Sequence, residues 1–155
     1  MTAAAGVPAG ALVLDLGAGQ GALTSHLLRA GARVIAVELH PGRAAALRER
    51  FAGQPVRVVG ADAASLRLPA RPFRVVASPP YGLTATLLTL LLAPSSQLVA
   101  ADIVLQRAVV RRYCAGHGPA GRPRRWRLQG GLLVPRRAFR PPPRVDSAVL
   151  VIRRR

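Results

Sequence analysis

The run Asp15-Leu16-Gly17-Ala18-Gly19-Gln20-Gly21 places three glycines at alternate positions just after a short apolar stretch. Without a Cβ the backbone can approach a ligand closely, so such a loop can cradle a small molecule. Through Gly17, Gly19 and Ala22 it also fits the G-x-G-x-x-[GA] fingerprint of dinucleotide sites. Two details lean away from that fit. Asp15 stands two positions ahead of the first glycine, where a carboxylate can order the loop or reach a cationic ligand group. Gly21 makes the spacing G-x-G-x-G, which suits a nucleoside without a pyrophosphate. A tight strand-to-helix turn that holds no ligand is the plainer alternative.

Glu38 follows 21 residues after Gly17. At the end of a second strand its carboxylate can accept both hydroxyls of an adenosyl ribose; a solvated strand end is the bland reading. Asp62, in Gly60-Ala61-Asp62-Ala63, can accept a hydrogen bond from an adenine amino group or simply cap the segment that follows. The three positions gain weight together. Successive strands would deliver them to one edge of a sheet, where ligands of open α/β folds bind. Ser78-Pro79-Pro80-Tyr81 comes next. Its two prolines remove two backbone donors and hold the chain extended, so that carbonyl acceptors project into a cleft.

The elements that must hold these residues alternate in type. Leu12–Leu16, 33–38, Val56–Val59, Phe73–Ala77 and 97–105 read as short apolar strands. Helices are predicted at 22–30, stopped by Gly31; at 42–51, started by Pro41; at 82–92, between Pro80 and Pro94; and at 106–114, where the helix is basic. Residues 115–125 are rich in Gly, Pro and Arg and read as a flexible basic loop. Strands at 128–134 and 147–152 would close the sheet. Near-continuous apolar strands alternating with helices predict an α/β fold with a parallel sheet covered on both faces.

A chain of 155 residues has the size of one domain. Its 50% hydrophobic content excludes wholesale disorder. The 23 basic residues, all arginine, against 6 acidic ones leave a net charge of +17. A small domain so charged seeks polyanions, either nucleic acid or an anionic membrane surface. The single cysteine, Cys114, excludes an internal disulfide and a cysteine-cluster zinc site, and is read as a helix-end residue facing the core. His26, His40 and His117 have no metal-ligand spacing, so no metal is expected. Trp126, beside Arg124 and Arg125, is read as packing on the sheet, with nucleobase stacking as the alternative. Without a charged leader or a bilayer-length apolar run, the expectation is a cytoplasmic, monomeric protein without a membrane partner.

The tetrapeptide at 78–81 behind the glycine loop resembles the S/N/D-P-P-Y/F signature of S-adenosylmethionine-dependent methyltransferases acting on exocyclic amines. Phe139-Arg140-Pro141-Pro142-Pro143-Arg144-Val145-Asp146-Ser147-Ala148-Val149 is similar to the F-x-P-x-P-x-V-x-S-x-V segment of the ribosomal RNA adenine dimethyltransferases. That family includes KsgA/Dim-type and Erm-type enzymes. The likeness is collinear over residues 13–152 and is nearest to short actinobacterial Erm-type enzymes. It implies a Rossmann-like methyltransferase fold with a mostly parallel seven-stranded sheet and an antiparallel closing strand. It also implies S-adenosylmethionine as cofactor and methylation of an adenine 6-amino group in ribosomal RNA. The favoured substrate is 23S RNA, with macrolide-type resistance as the consequence; small-subunit RNA is the alternative.

The resemblance assigns roles residue by residue. Gly17, Ala18 and Gly19 would contact the methionine part of the cofactor, Glu38 and its neighbour Leu39 the ribose, and Asp62 and Ala63 the adenine, with Asp15 and Ser78 completing that shell. Ser78 and the Pro79 carbonyl would hold the target amine, while Tyr81 and Phe139 would stack on the extruded base. Arg107, Arg111, Arg112, Arg124, Arg125, Arg137 and Arg140, with Arg122, Arg127 and Arg136 beside them, are candidates to grip the RNA backbone. Ser78 departs from the family's usual Asn and offers the amine a weaker, less directional acceptor. The family's upstream Q-N-F-like segment and C-terminal helical domain find no match, so one catalytic domain over residues 1–155 is expected. Three rivals stand beside this reading. DNA adenine or protein glutamine methyltransferases share the P-P-Y corner but not the 139–149 segment. A nicotinamide-dependent reductase leaves that corner idle. A non-catalytic RNA-binding remnant explains the charge alone.

Overall fold

Five successive apolar runs form the parallel part of one sheet: β1 (Leu12–Leu16), β2 (Arg33–Val37), β3 (Val56–Val59), β4 (Phe73–Ala77) and β5 (Leu98–Gln106). Strands β6 (Trp126–Val134) and β7 (Ser147–Arg154) complete it in the order β3-β2-β1-β4-β5-β7-β6, with β7 antiparallel to both neighbours. The computed structural model describes residues 6–119, 121 and 124–155, so Arg122 lies outside the described residues.

Period-two alternation splits the strands between two cores. Leu14, Leu16, Val37, Val75 and Ala77 face one, where they meet Leu87, Leu88 and Leu91 of α3 (Thr84–Leu91) and Val110 and Tyr113 of α4 (Arg107–Cys114). Val13, Val34, Ala36 and Val76 face the other, with Leu27 of α1 (Ala22–Arg29) and Leu47 of α2 (Pro41–Arg50). Both faces of the parallel strands are therefore covered, as their unbroken apolar character demands. Gly31 ends α1 in a left-handed conformation, φ 81°. The Ala32 N–H donates to Leu27 O at 3.1 Å and the Gly31 N–H to Leu28 O at 2.9 Å, the paired bonds of a Schellman stop.

Three expectations shift. The predicted helix at 82–92 divides into a 3-10 turn, Tyr81–Leu83, and α3. Pro80 is extended, ψ 136°, so the helix cannot reach back through it; the first turn tightens instead, with the Thr84 hydroxyl donating to Tyr81 O at 2.8 Å. Cys114 does not face the core. Helix α4 buries Val110 and Tyr113, and the next position along the chain turns outward, which leaves Cys114 exposed. Strands β6 and β7 each run two residues beyond prediction, because their arginines lie along the sheet rather than end it. Trp126 is buried in the core and packs on the sheet.

Two details concern the antiparallel side. Arg153 Nη2 lies 2.9 Å from Asp102 Oδ2, while its Nη1 donates to Ala101 O at 3.0 Å, so a buried carboxylate pins β7 to β5. At the sheet's edge, β6 is bulged between Gly130 and Leu133; a Cβ on Gly131 would meet Val151 Cγ2 at 2.7 Å. Leu132 and Leu133 on this bulge are each 58% exposed. Among the described residues, no helix is long and apolar enough to cross a membrane, and no group of three or more His, Cys, Asp or Glu could hold a metal.

Candidate active site

From β1 the chain crosses toward β2 and β3, and from β4 it crosses the other way to β5. The loops leaving β1 and β4 therefore diverge, and a crevice opens at their carboxyl ends. A cavity of about 700 Å³ occupies it, lined among others by Gly17, Gly19, Glu38, Leu39, Asp62, Ala63, Ser78, Pro79, Tyr81, Phe139 and Arg140.

One wall is the glycine loop with the ends of β2 and β3. The Gly17 and Ala18 N–H groups both donate to Val37 O, at 2.9 and 3.0 Å, and fold the loop over β2. The buried carboxylate of Glu38 then locks it. Its Oε2 accepts from the Gly19 N–H at 2.9 Å, its Oε1 accepts from the His40 N–H at 2.9 Å, and Arg43 Nη1 lies 3.6 Å from Oε1. Asp62 Oδ1 accepts from the Ala64 N–H at 2.9 Å and so caps the 3-10 turn Ala63–Ser65, while the same side chain faces the cavity. Carboxylates have about four lone-pair positions each, so both acids retain acceptors for a ligand.

Two residues expected at the ligand stand back from the cavity wall. Ala18 is buried, its N–H turned to β2. Asp15 is buried beneath the loop and accepts from Thr24 Oγ1 at 2.6 Å, the arrangement of a loop-ordering carboxylate. Burial pushes its carboxyl up from 3.8 to about 6, against the lowering effect of the Thr24 hydrogen bonds. Gly21 also lies off the cavity and is explained by packing: at φ 85° a Cβ there would sit 2.6 Å from Phe51 Cε2 and 2.7 Å from Leu47 Cδ2. Gly17 marks the seam between walls, since its Cβ would lie 3.5 Å from both Pro79 Cα and Pro80 Cδ.

The opposite wall joins the end of β4 to the segment between β6 and β7. Ser78 is exposed, Pro79 buried and Tyr81 half-buried. The Tyr81 hydroxyl shares a 2.7 Å hydrogen bond with the hydroxyl of Ser147, which is buried at the start of β7. Phe139, Arg140, Pro141 and Pro143 complete this side. Sequence reasoning did not single out Ser147, although it stands in the segment that carried the family resemblance. Arg43 was also missed; nothing in the pattern 38–43 signals that α2 would turn it toward the cavity.

The seven candidate RNA-binding arginines are spread along the antiparallel side of the sheet. Arg140 lines the cavity, Arg137 lies just before Phe139, and Arg107 opens α4, its N–H donating to Asp146 O at 2.9 Å. Arg124 and Arg125 sit at the far end of the sheet, beside Trp126, which pairs with Arg154. Nine residues of β6 separate the two ends, about 30 Å. Arg111 and Arg112 are exposed along α4 between them.

The profile of the family described as ribosomal RNA adenine dimethylase matches residues 4–155. The chain is 38% identical over 156 residues to an rRNA adenine N-6-methyltransferase of Streptomyces fradiae, covering 94% of this chain and 48% of that protein. It is 37% identical over 152 residues to ribosomal RNA small subunit methyltransferase A of a Synechococcus strain, covering 90% and 54%. It thus spans about half the length of these curated relatives. Among solved structures, the 23S rRNA methyltransferase ErmE superposes with a TM-score of 0.85 at 32% identity, over 99% of this chain and 65% of that one. A dimethyladenosine transferase from Plasmodium falciparum matches in fold, with a TM-score of 0.85 at 23% identity over 99% and 59%.

Proposed function

The chain belongs to the ribosomal RNA adenine dimethylase family, and from that membership we propose that it transfers methyl groups from S-adenosylmethionine to the 6-amino group of an adenine in ribosomal RNA. Its fold is the Rossmann-like fold of methyltransferases. The observation that carries the reading is the two-walled cavity: carboxylates and a glycine cradle on one side, an acceptor-rich corner flanked by aromatics on the other.

The residues fit such a cofactor. About 700 Å³ lies within the range of small-molecule sites. A Cβ on Gly19 would meet nothing closer than Gly17 O at 3.9 Å, so the space above the cradle is open. Glu38 is set to accept from ribose hydroxyls and Asp62 from an adenine amino group. When bound, the cofactor supplies an electrophilic methyl on a sulfonium.

The chain's own residues position the other reactant. The Ser78 hydroxyl and the Pro79 carbonyl accept hydrogen bonds from the adenine amine and aim its nitrogen lone pair into the cavity. Pro79 and Pro80 contribute no N–H that would compete for those acceptors. Tyr81 and Phe139 stack on the base once it leaves the helix, each face recovering roughly 1–3 kcal/mol of the extrusion cost. Positioning supplies the catalysis, and no side chain acts as general base. Arg107, Arg137 and Arg140, at the cavity end, hold phosphates near the target, so RNA affinity falls steeply with salt.

The substrate we assign is 23S RNA, supported by the likeness to ErmE; relatives of near-equal identity act, by name, on the small subunit. Methyl-labelled S-adenosylmethionine incubated with each RNA, followed by nucleoside analysis, decides. N6-methylated adenosine in 23S RNA is expected, together with macrolide tolerance in a host expressing the protein. Label in 16S RNA alone overturns the choice of substrate. NAD binding without S-adenosylmethionine binding, or label uptake unchanged by Tyr81→Ala, overturns the reading as a whole.

A further inference from the structure

Tyr81 lines the cavity from the turn that follows Pro80. Its backbone is fixed locally, by the Leu83 N–H donating to Pro80 O at 3.1 Å and the Thr84 hydroxyl donating to Tyr81 O at 2.8 Å. Those bonds act on the backbone and do not themselves set the first side-chain torsion of the ring. The bond to Ser147, 66 residues away in the chain, is the one that fixes the ring's far end.

Ser147 is well placed to do this. At the start of β7 it pairs with Gln106 of β5 and with Val134 of β6, so its backbone is held between two neighbouring strands. Helix α4 starts one residue beyond Gln106, and the segment that carries Phe139 leaves one residue beyond Val134. Its side chain is buried, and a buried hydroxyl persists in such a place only when hydrogen-bonded. Its partner is the phenol.

We propose that Ser147 is a positioning residue: its hydroxyl holds the Tyr81 ring at a set angle to the Phe139 side of the cavity, so that the slot for the extruded base exists before RNA arrives. The proposal rests on the reading of the cavity as an adenine-methylating site.

The test combines turnover with a readout that needs no activity. Ser147→Ala and Tyr81→Phe each lower kcat/KM for RNA about tenfold, the scale of one lost neutral hydrogen bond, and leave S-adenosylmethionine affinity within about twofold. The double variant is no worse than the poorer single one, since both remove one bond. Multiplied losses, or a Ser147→Ala enzyme with wild-type kcat/KM, overturn the proposal. In parallel, the protein is labelled with 3-fluorotyrosine; its two tyrosines give two fluorine resonances, separated by Tyr113→Phe. Ser147→Ala shifts and broadens the Tyr81 resonance if the bond holds the ring, and an unmoved resonance overturns the idea. A wild-type chain that transfers no methyl sinks the parent reading, while the fluorine signal still decides the clamp. If Ser147→Ala fails to fold, Tyr81→Phe removes the same bond from the accessible side.

Discussion

The two walls of the cavity are built by different means. The glycine wall is tied together by backbone N–H groups donating to carboxylates and carbonyls: Gly19 to Glu38, Ala64 to Asp62, Gly17 and Ala18 to Val37. All of it comes from consecutive strand–helix units, the Gly19 and Glu38 partners lying 19 residues apart. In the proline–aromatic wall the backbone bonds close local turns, such as the Leu83 N–H to Pro80 O and the Phe139 N–H to Arg136 O. The wall's two halves, at 78–81 and 139–147, line one side of the cavity and are joined by the Tyr81–Ser147 hydroxyl pair. A wall of fixed donors and acceptors suits a ligand of constant shape, whereas stacked rings and prolines suit a base that must enter and leave.

The sharpest way to break the contrast is through glycine. Gly21→Ala forces a methyl group into Phe51 and Leu47 at a left-handed position, and combined strain and overpacking should cost about 4 kcal/mol, read as a lowered urea midpoint. An unchanged midpoint would mean that the packing behind the glycine loop yields to an added methyl group. Next in size is the Arg153–Asp102 pair that pins β7 to β5 on the antiparallel side of the sheet. Arg153→Met leaves Asp102 buried without its partner and should cost about 3 kcal/mol in the same measurement.

Asp15 sharpens the comparison through pH. A carboxyl whose pKa is raised on folding, here from 3.8 to about 6, stabilises the fold fully below its ordinary value and loses that contribution as pH rises through about 6. Asp15→Asn should therefore flatten the stability profile between pH 4 and 6, with a gain on the order of 2–3 kcal/mol at pH 7 that disappears in acid. A variant that tracks the parent chain across that range would contradict the burial effect. Smallest of all is Gly82→Ala, on the proline–aromatic side, where an added Cβ meets nothing within 4 Å. Its midpoint should move by less than about 0.5 kcal/mol equivalent.

Much of the glycine wall was legible in the sequence because its logic is local. A carboxylate stands at or near the end of each of the first three strands, Asp15, Glu38 and Asp62, and Leu12–Leu16, Val56–Val59 and Phe73–Ala77 appear as strands with the bounds expected. The proline–aromatic wall was legible only as a resemblance, since no periodicity signals that residue 81 will touch residue 147. Cys114 was misplaced because helix boundaries alone do not say which neighbour takes the buried position; Tyr113, with the larger apolar surface, does. The scattering of the arginines could not be read from their spacing, because a charge count carries no direction.

The bulge in β6 bears on how the molecule behaves in a crowded solution. An outermost strand carrying two bare leucines is a standing invitation to fibril growth, in which copies add one by one through backbone pairing. Here the ladder is broken at the greasiest point, between Gly130 and Leu133, and Val151 leaves no room for a side chain at Gly131 that could straighten it. An incoming strand would meet a register-shifted edge there, a geometry that disfavours continuous backbone pairing.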